Sequence, residues 1–218
     1  MAKASRKIVF WEVDAQKDFM LPGGKLYVAG AEKIIPNIER LVDAARQGRV
    51  FLVSSGCAHT ADDPEFKMFP PHCIRGTDGA RIVAEGLTTD YRTIANDALA
   101  RVPADLFSHA QVVIEKQVLD VFSNPHTSEI VEGLGSEAEF VVFGVVTEYC
   151  VHFAAKGLLD RGRKVFVVTD AIETLKAQDS EHTMQELKAM GAQFVTTDEA
   201  LQMVSGGGSA TARRQTQN

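Results

Sequence analysis

The segment from Phe140 to Val151, FVVFGVVTEYCV, decides how the rest of the chain is read. Phe140-Val141-Val142-Phe143 is a short apolar run of the kind that forms a strand buried on both faces. Gly144 breaks that run, and from Cys150 to Leu159 the apolar residues take up helical spacing. A buried strand turning through glycine into a helix is the first half of a βαβ unit. The thiol of Cys150 falls at the predicted helix start, where the helix dipole favours a thiolate.

Runs of the same kind recur at Ile8 to Val13, Val50 to Val53, Val112 to Ile114, Val165 to Val168 and Phe194 to Val195. Longer stretches with helical spacing lie between most of them. Ala31 to Arg46 puts Ile34, Ile35, Ile38, Leu41, Val42 and Ala45 on one face, and Ser180 to Met190 behaves similarly. Strands alternating with helices predict an α/β chain, a three-layer α/β/α sandwich on a mainly parallel sheet. Two stretches lack a helical pattern, Leu21 to Gly30 and Cys57 to Arg81, both crowded with Gly, Pro, Asp or His. Long irregular loops in a compact domain tend to carry function, and ligands of open parallel sheets bind beyond the carboxyl ends of the strands. Asp14, Cys57, Lys116 and the Gly144 turn all sit at such ends, so they are expected to converge.

The 218 residues hold 23 Lys and Arg against 29 Asp and Glu, a net charge of -6, which argues against a nucleic-acid surface. With 45% hydrophobic residues the chain can bury one good core, and we expect a single domain over residues 1–203. Residues 204–218, ending in SGGGSATARRQTQN, read as a disordered tail. The opening MAKASRKIVFWEVD passes from a short basic start into a strand pattern, and three cysteines suggest reduced thiols. The expectation is a cytoplasmic protein. No apolar run reaches the ~20 residues of a membrane-spanning helix.

A free thiol with its pKa near ~8.5 needs a base or a charge partner to act as a nucleophile near neutrality. Asp14 is placed to take the proton of Cys150. Lys116 would keep that carboxylate ionised, and the backbone N–H groups of Val146 and Cys150 would cradle a tetrahedral oxyanion. Each residue also has a plainer reading: a small core cysteine, a turn aspartate, a solvated lysine. A second constellation is Cys57-Ala58-His59, Glu65 and Pro71-His72-Cys73. Cys57, His59, Glu65 and His72 offer sulfur, nitrogen and oxygen ligands for a transition metal, Asp62-Asp63 before Pro64 reads as a turn, and Cys73 as packed. Arg75 and Asp78 follow closely enough to shape a pocket entrance, with a turn role as the plainer reading of Asp78.

These segments together resemble the isochorismatase-like cysteine hydrolases, and among them nicotinamidases. The resemblance rests on Asp14-x-Gln16-x-Asp18-Phe19 with Leu21-Pro22-Gly23-Gly24-Lys25-Leu26, on Phe69 to Ala80 (FPPHCIRGTDGA), on Lys116 and on Gly144 to Val151. It spans roughly residues 7 to 200 and implies six parallel strands with helices on both faces. It also implies a triad of Asp14, Lys116 and Cys150, and a cis peptide between Val145 and Val146 that turns the Val146 N–H toward the oxyanion. Phe19 and Phe69 would wall a flat ring, unless they are ordinary core residues. A divalent metal, Zn, Mn or Fe, would be held by His59, Glu65 and His72, with Cys57 standing where the family carries aspartate. A thiolate there shifts preference toward softer ions, or leaves three ligands. The implied reaction is hydrolysis of a small amide, nicotinamide first, with an N-carbamoyl amine, biuret, ureidoacrylate or maleamate as alternatives. The intact Cys150 segment argues against isochorismate hydrolysis, and the complete triad against a silent scaffold. The family also implies a homo-oligomer.

Overall fold

The computed structural model describes residues 8–205. Seven parallel strands form one sheet: β1 (Ile8–Val13), β2 (Phe51–Cys57), β3 (Tyr91–Ile94), β4 (Gln111–Lys116), β5 (Glu139–Gly144), β6 (Lys164–Ile172) and β7 (Gln193–Val195). Their order across the sheet is β3-β4-β2-β1-β5-β6-β7. Six helices accompany them: α1 (Lys17–Met20), α2 (Ile35–Arg46), α3 (Thr127–Gly133), α4 (His152–Asp160), α5 (Ala177–Ala189) and α6 (Thr197–Ser205).

The expected sheet had six strands. The seventh, β3, escaped the sequence reading because only Ile94 of Tyr91-Arg92-Thr93-Ile94 is buried. It is a polar edge strand with no apolar run to announce it, and such a composition protects an open edge from pairing with another chain. Val204 and Ser205, expected in the tail, complete α6. The rest of that expected tail, 206–218, lies outside the described residues.

Strand alternation builds two cores. Val9, Trp11 and Val13 of β1 face one side of the sheet with Ile130 and Val131 of α3, Ala154, Ala155 and Leu158 of α4, and Leu187 of α5. Phe10, between them in sequence, faces the other side with Ile38, Leu41 and Val42 of α2 and Ala200 of α6. Side chains of period two on a sheet covered on both faces require this division.

The sheet's register positions the site. Cys57 pairs with Lys116 at the ends of β2 and β4, and Val13 pairs with Gly144 at the ends of β1 and β5. Asp14 follows Val13 and donates its N–H to the Ser55 carbonyl at 2.9 Å. The chain moves to opposite sides of β1 for β2 and β5, so a crevice opens at this switch point. Gly144 is required there: its φ is +119°, and an added Cβ would fall 2.1 Å from the Val13 carbonyl oxygen.

Candidate active site

Asp14 leaves β1 with φ of +48°, a backbone setting rare for a side-chain-bearing residue. Its Oδ2 accepts from Lys116 Nζ at 2.8 Å, while the buried Oδ1 has no hydrogen-bond partner. The same ammonium reaches Cys150 Sγ at 3.4 Å and Cys57 Sγ at 3.1 Å. Lys116 and Asp14 are each 1% exposed. A buried ion pair of this kind is stable only while both partners remain.

The segment carrying Cys150 begins with the cis peptide Val145–Val146 that the resemblance implied. Val145 N–H donates to Val13 at 2.9 Å, and the Val146 carbonyl accepts from Tyr149 and Val151. Among the described residues no backbone carbonyl accepts from the Val146 N–H. Helical backbone begins at Thr147 rather than Cys150, as a π-helical turn over Thr147–Val151 that runs into α4. Such turns concentrate at functional sites.

The surroundings of Cys150 work against the expected thiolate. Burial first, then the charge of Asp14, holds the Cys150 thiol well above its ordinary range, against the pull of Lys116. With the helix starting three residues earlier, its dipole does not decide the matter. Burial alone would lower Lys116, but Asp14, by its charge and its hydrogen bond, outweighs it and keeps the ammonium well above its usual value. Burial and Asp14 thus favour the neutral thiol, and the nearby Asp14 Oδ1 has no hydrogen-bond partner.

Cys57 is fixed by its backbone. Gln16 accepts from the Cys57 N–H and donates to the Cys57 carbonyl, both at 2.7 Å. Burial, then Asp14, pushes the Cys57 thiol up to about 12. The ligand atoms of Cys57, His59 and His72 lie within 4.8 Å of one another. His72 Nδ1 lies 2.7 Å from the Pro70 carbonyl, so it carries the proton and leaves Nε2 with a free lone pair. Burial lowers His72, which favours the neutral ring. His59 Nδ1 lies 3.0 Å from Asp63 Oδ2 without meeting hydrogen-bond geometry, and His59 Nε2 is buried without a hydrogen-bond partner. Two free imidazole nitrogens and a sulfur make a donor set that fits a divalent ion.

Glu65 does not join that group. It sits on a short 3-10 turn (Pro64–Lys67), half-buried, and lines the same cavity. The acid that touches the cluster is Asp63, read from sequence only as a turn residue. It does both jobs, accepting from the Glu65 N–H at 2.9 Å and orienting His59. Asp18 ties the two long loops together, accepting from Lys25 N–H at 3.0 Å and Cys73 N–H at 2.7 Å. Arg75 and Asp78 stay outside: Arg75 pairs with Glu115, and Asp78 with Lys17.

Above these groups lies a narrow cavity with walls of Phe19, Leu26, Val28, Phe69, Tyr149 and Leu175. Phe69 and Tyr149 meet edge to face at 6.0 Å, and Phe19 packs on His72 at 5.2 Å. Leu175 is held by a residue the sequence reading passed over. Glu148 accepts from Thr174 Oγ1 at 2.7 Å and from the N–H groups of Leu175 and Lys176 at 2.9 Å each. Thr147 adds two bonds to the Glu173 carbonyl. The loop carrying Leu175 is thus clamped to the turn carrying Cys150.

The isochorismatase domain matches residues 9–94 and 97–199. The chain belongs to the isochorismatase family. It is 25% identical over 209 residues to the nicotinamidase of Escherichia coli (strain K12), covering 84% of this chain and 92% of that one. The crystal structure of a Pyrococcus horikoshii pyrazinamidase in complex with zinc is similar with a TM-score of 0.70 at 26% identity, over 87% of this chain and 99% of the other. The N-carbamoylsarcosine amidase of Thermoplasma acidophilum shares the fold, with a TM-score of 0.68 at 22% identity over 88% of this chain and 97% of that one. Membership in this family makes the chain an isochorismatase-like hydrolase. No helix among the described residues is long and apolar enough to cross a membrane.

Proposed function

We propose that the protein is a cysteine amidohydrolase acting on a small neutral aromatic amide, nicotinamide above others, with Cys150 as nucleophile. The observation that carries this reading is the lining of the cavity. Its walls are aromatic and aliphatic, its ionisable residues are acids, thiols and a histidine, and among the described lining residues there is no Lys or Arg. Ureidoacrylate, maleamate and N-carbamoyl amino acids carry a carboxylate that would enter beside Asp14 and Glu65, where Lys116 is already paired with Asp14 and no Lys or Arg lines the walls to meet it. Biuret is neutral but needs hydrogen-bonding walls. A flat ring with an uncharged amide matches the slot.

In this reading the carbonyl carbon of the amide sits over Cys150 Sγ. Asp14 takes the thiol proton as sulfur attacks, so no free thiolate is needed beforehand. The N–H groups of Val146 and Cys150 hold the developing oxyanion. Asp14 returns the proton to the leaving nitrogen, ammonia departs, and a thioester remains. Water then gives a proton to Asp14 and attacks the thioester; the sulfur leaves and regains its proton. Lys116 holds Asp14 in place and supplies positive charge beside the sulfur throughout. Cys57, His59 and His72 would hold a divalent ion at the cavity floor, where it would supply a Lewis-acid position for a heterocyclic nitrogen.

The same proposal includes a homo-oligomer, open to a sizing experiment, and a cytoplasmic enzyme. A second reading, another small amide or carbamoyl compound, is favoured by the Cys57 sulfur, since it replaces a charged oxygen ligand and alters how a ring nitrogen would be met. The deciding experiment is ammonia release from nicotinamide, pyrazinamide, biuret and ureidoacrylate by the purified protein, as isolated and after chelation with Zn²⁺, Mn²⁺ or Fe²⁺ restored. Release from the two ring amides, abolished in a folded Cys150→Ala variant, is expected. Turnover of ureidoacrylate in preference to nicotinamide would overturn the substrate assignment, and an active Cys150→Ala variant the mechanism.

A further inference from the structure

The sulfur of Cys57 belongs to two groups of side chains at once. An ammonium has three hydrogens, and around Lys116 Nζ stand three acceptors: Asp14 Oδ2 at 2.8 Å, Cys57 Sγ at 3.1 Å and Cys150 Sγ at 3.4 Å. The same Cys57 sulfur lies within 4.8 Å of the donor atoms of His59 and His72. His59 Nε2 is fully buried and makes no hydrogen bond, an arrangement that calls for a partner. His72 has its other nitrogen bound to Pro70, so it too presents Nε2. The backbone of Cys57 is pinned on both sides by Gln16, which fixes the point from which its side chain projects.

We propose that Cys57 is a metal-ligating thiolate, that the centre therefore takes thiophilic ions such as Zn²⁺ and Co²⁺ in preference to Mn²⁺ and Mg²⁺, and that Lys116 serves as hydrogen-bond donor to the metal-bound sulfur. On binding, a metal–sulfur bond replaces the S–H bond and the proton passes to solvent. Thiolate with two imidazoles selects zinc or cobalt, whereas manganese and magnesium favour carboxylate, carbonyl and water. The N–H of Lys116 occupies the outer position that tunes a ligand's basicity and orientation. One side chain thereby joins the metal centre to the Asp14 and Cys150 pair. This inference rests on the metal reading given above and is independent of the substrate.

The test uses the full chain without substrate, so a failure to hydrolyse nicotinamide leaves it untouched. Metal-free protein titrated with Co²⁺ should develop a near-ultraviolet sulfur-to-cobalt charge-transfer band, saturating at one ion per chain. Equimolar Zn²⁺ should erase the band, and excess Mn²⁺ or Mg²⁺ should not. Cys57→Asp should abolish the band and narrow the preference for Zn²⁺ over Mn²⁺ by at least about tenfold. Cys73→Ser, with its sulfur beside the Gly79 carbonyl, should keep the band. Wild-type protein that binds no Co²⁺, or binds it without the band, overturns the proposal, as does a band surviving in Cys57→Asp or displacement by Mn²⁺ at parity. For the lysine, Lys116→Met should weaken Zn²⁺ by about 10–100-fold. If that variant does not fold, Asp14→Asn, which frees the ammonium toward the sulfurs, should shift the band; an unchanged band in a folded variant refutes the shared sulfur.

Discussion

Replacing Glu12 by glutamine should stabilise the protein increasingly as pH rises. Glu12 lies in the middle of β1, wholly buried, with Oε2 accepting from Ser54 Oγ at 2.7 Å and Oε1 without a partner. Ser54 in turn accepts from Gln111 Nε2 at 2.8 Å, which also donates to the Gly86 carbonyl at 3.0 Å. An added Cβ on Gly86 would approach Glu12 Oε1 to 2.4 Å, so no water fits between them. Burial first, against the Ser54 bond and Arg46, raises the carboxyl from 4.5 to about 8.

The sign follows from which state binds the proton. Below pH 4.5 the carboxyl is protonated folded or unfolded, and Glu12 costs nothing through its charge. Between pH 4.5 and about 8 the unfolded chain releases the proton while the folded chain keeps it, so stability falls as pH rises. The slope is about 1.4 kcal/mol per pH unit and the full cost above pH 8 is roughly 3–5 kcal/mol. Glutamine keeps an acceptor for Ser54 and removes the titration. Its extra N–H group shifts the whole curve by about 1–3 kcal/mol if left unpaired, without changing its dependence on pH. Urea unfolding of both proteins at half-unit steps from pH 4.5 to 9.5, with equal m values, gives the comparison. The difference in stability should widen by roughly 3–5 kcal/mol across that range. Parallel curves would refute a buried neutral carboxyl at Glu12.

Asp63→Asn should weaken Zn²⁺ by about 10–100-fold, measured by competition with a chelator, since the carboxylate that orients His59 is lost. Glu148→Ala should raise KM for a ring amide roughly tenfold with a smaller change in kcat, because it releases the loop carrying Leu175 while leaving Cys150 and Asp14 in place; a change confined to kcat would contradict this. Gly144→Ala should cost at least about 4 kcal/mol in chemical denaturation or prevent folding, as its Cβ would collide with the β1 backbone at a positive φ; a variant of normal stability would show that the turn can relax.

Much of the fold was legible because its strands are short apolar runs separated by helical periods. Ile8 to Val13 and Phe140 to Phe143 could hardly be anything but strands covered on both faces. Tyr91-Arg92-Thr93-Ile94 was illegible for the opposite reason: an edge strand next to solvent has no apolar demand to meet, and its pairing with β4 is known only once the sheet exists. The ends of strands were legible less well. The apolar run that marks the second strand stops at Val53, and only the placement of Cys57 at a strand end pointed further; β2 continues through Ser54-Ser55-Gly56 to Cys57, because Ser54 joins a buried polar chain and Gly56 packs beside Gln16. Local propensity speaks against Ser and Gly in a strand, and tertiary hydrogen bonds overrode it.

The site shows the same limit from the chemical side. Residue types and loop positions are enough to pick out Asp14, Lys116 and Cys150 as one group and Cys57, His59, Glu65 and His72 as another, though not that Glu65 stands apart from the other three. They cannot show that the two groups share an atom, because that depends on strand register. Only when Cys57 is paired with Lys116, and Asp14 is carried between β2 and β5, does one ammonium meet both sulfurs. The thiolate expected at Cys150 met an influence the sequence does not display for a related reason. A dipole argument weighs the helix start alone, whereas burial beside Asp14 acts on the thiol from across the sheet and is the stronger influence. In the proposed mechanism, nucleophile activation is therefore a property of the assembled crevice, in which Asp14 accepts a proton from a neutral thiol at the moment of attack. Lys116, facing Asp14 and both cysteines, ties that step to whatever charge Cys57 carries.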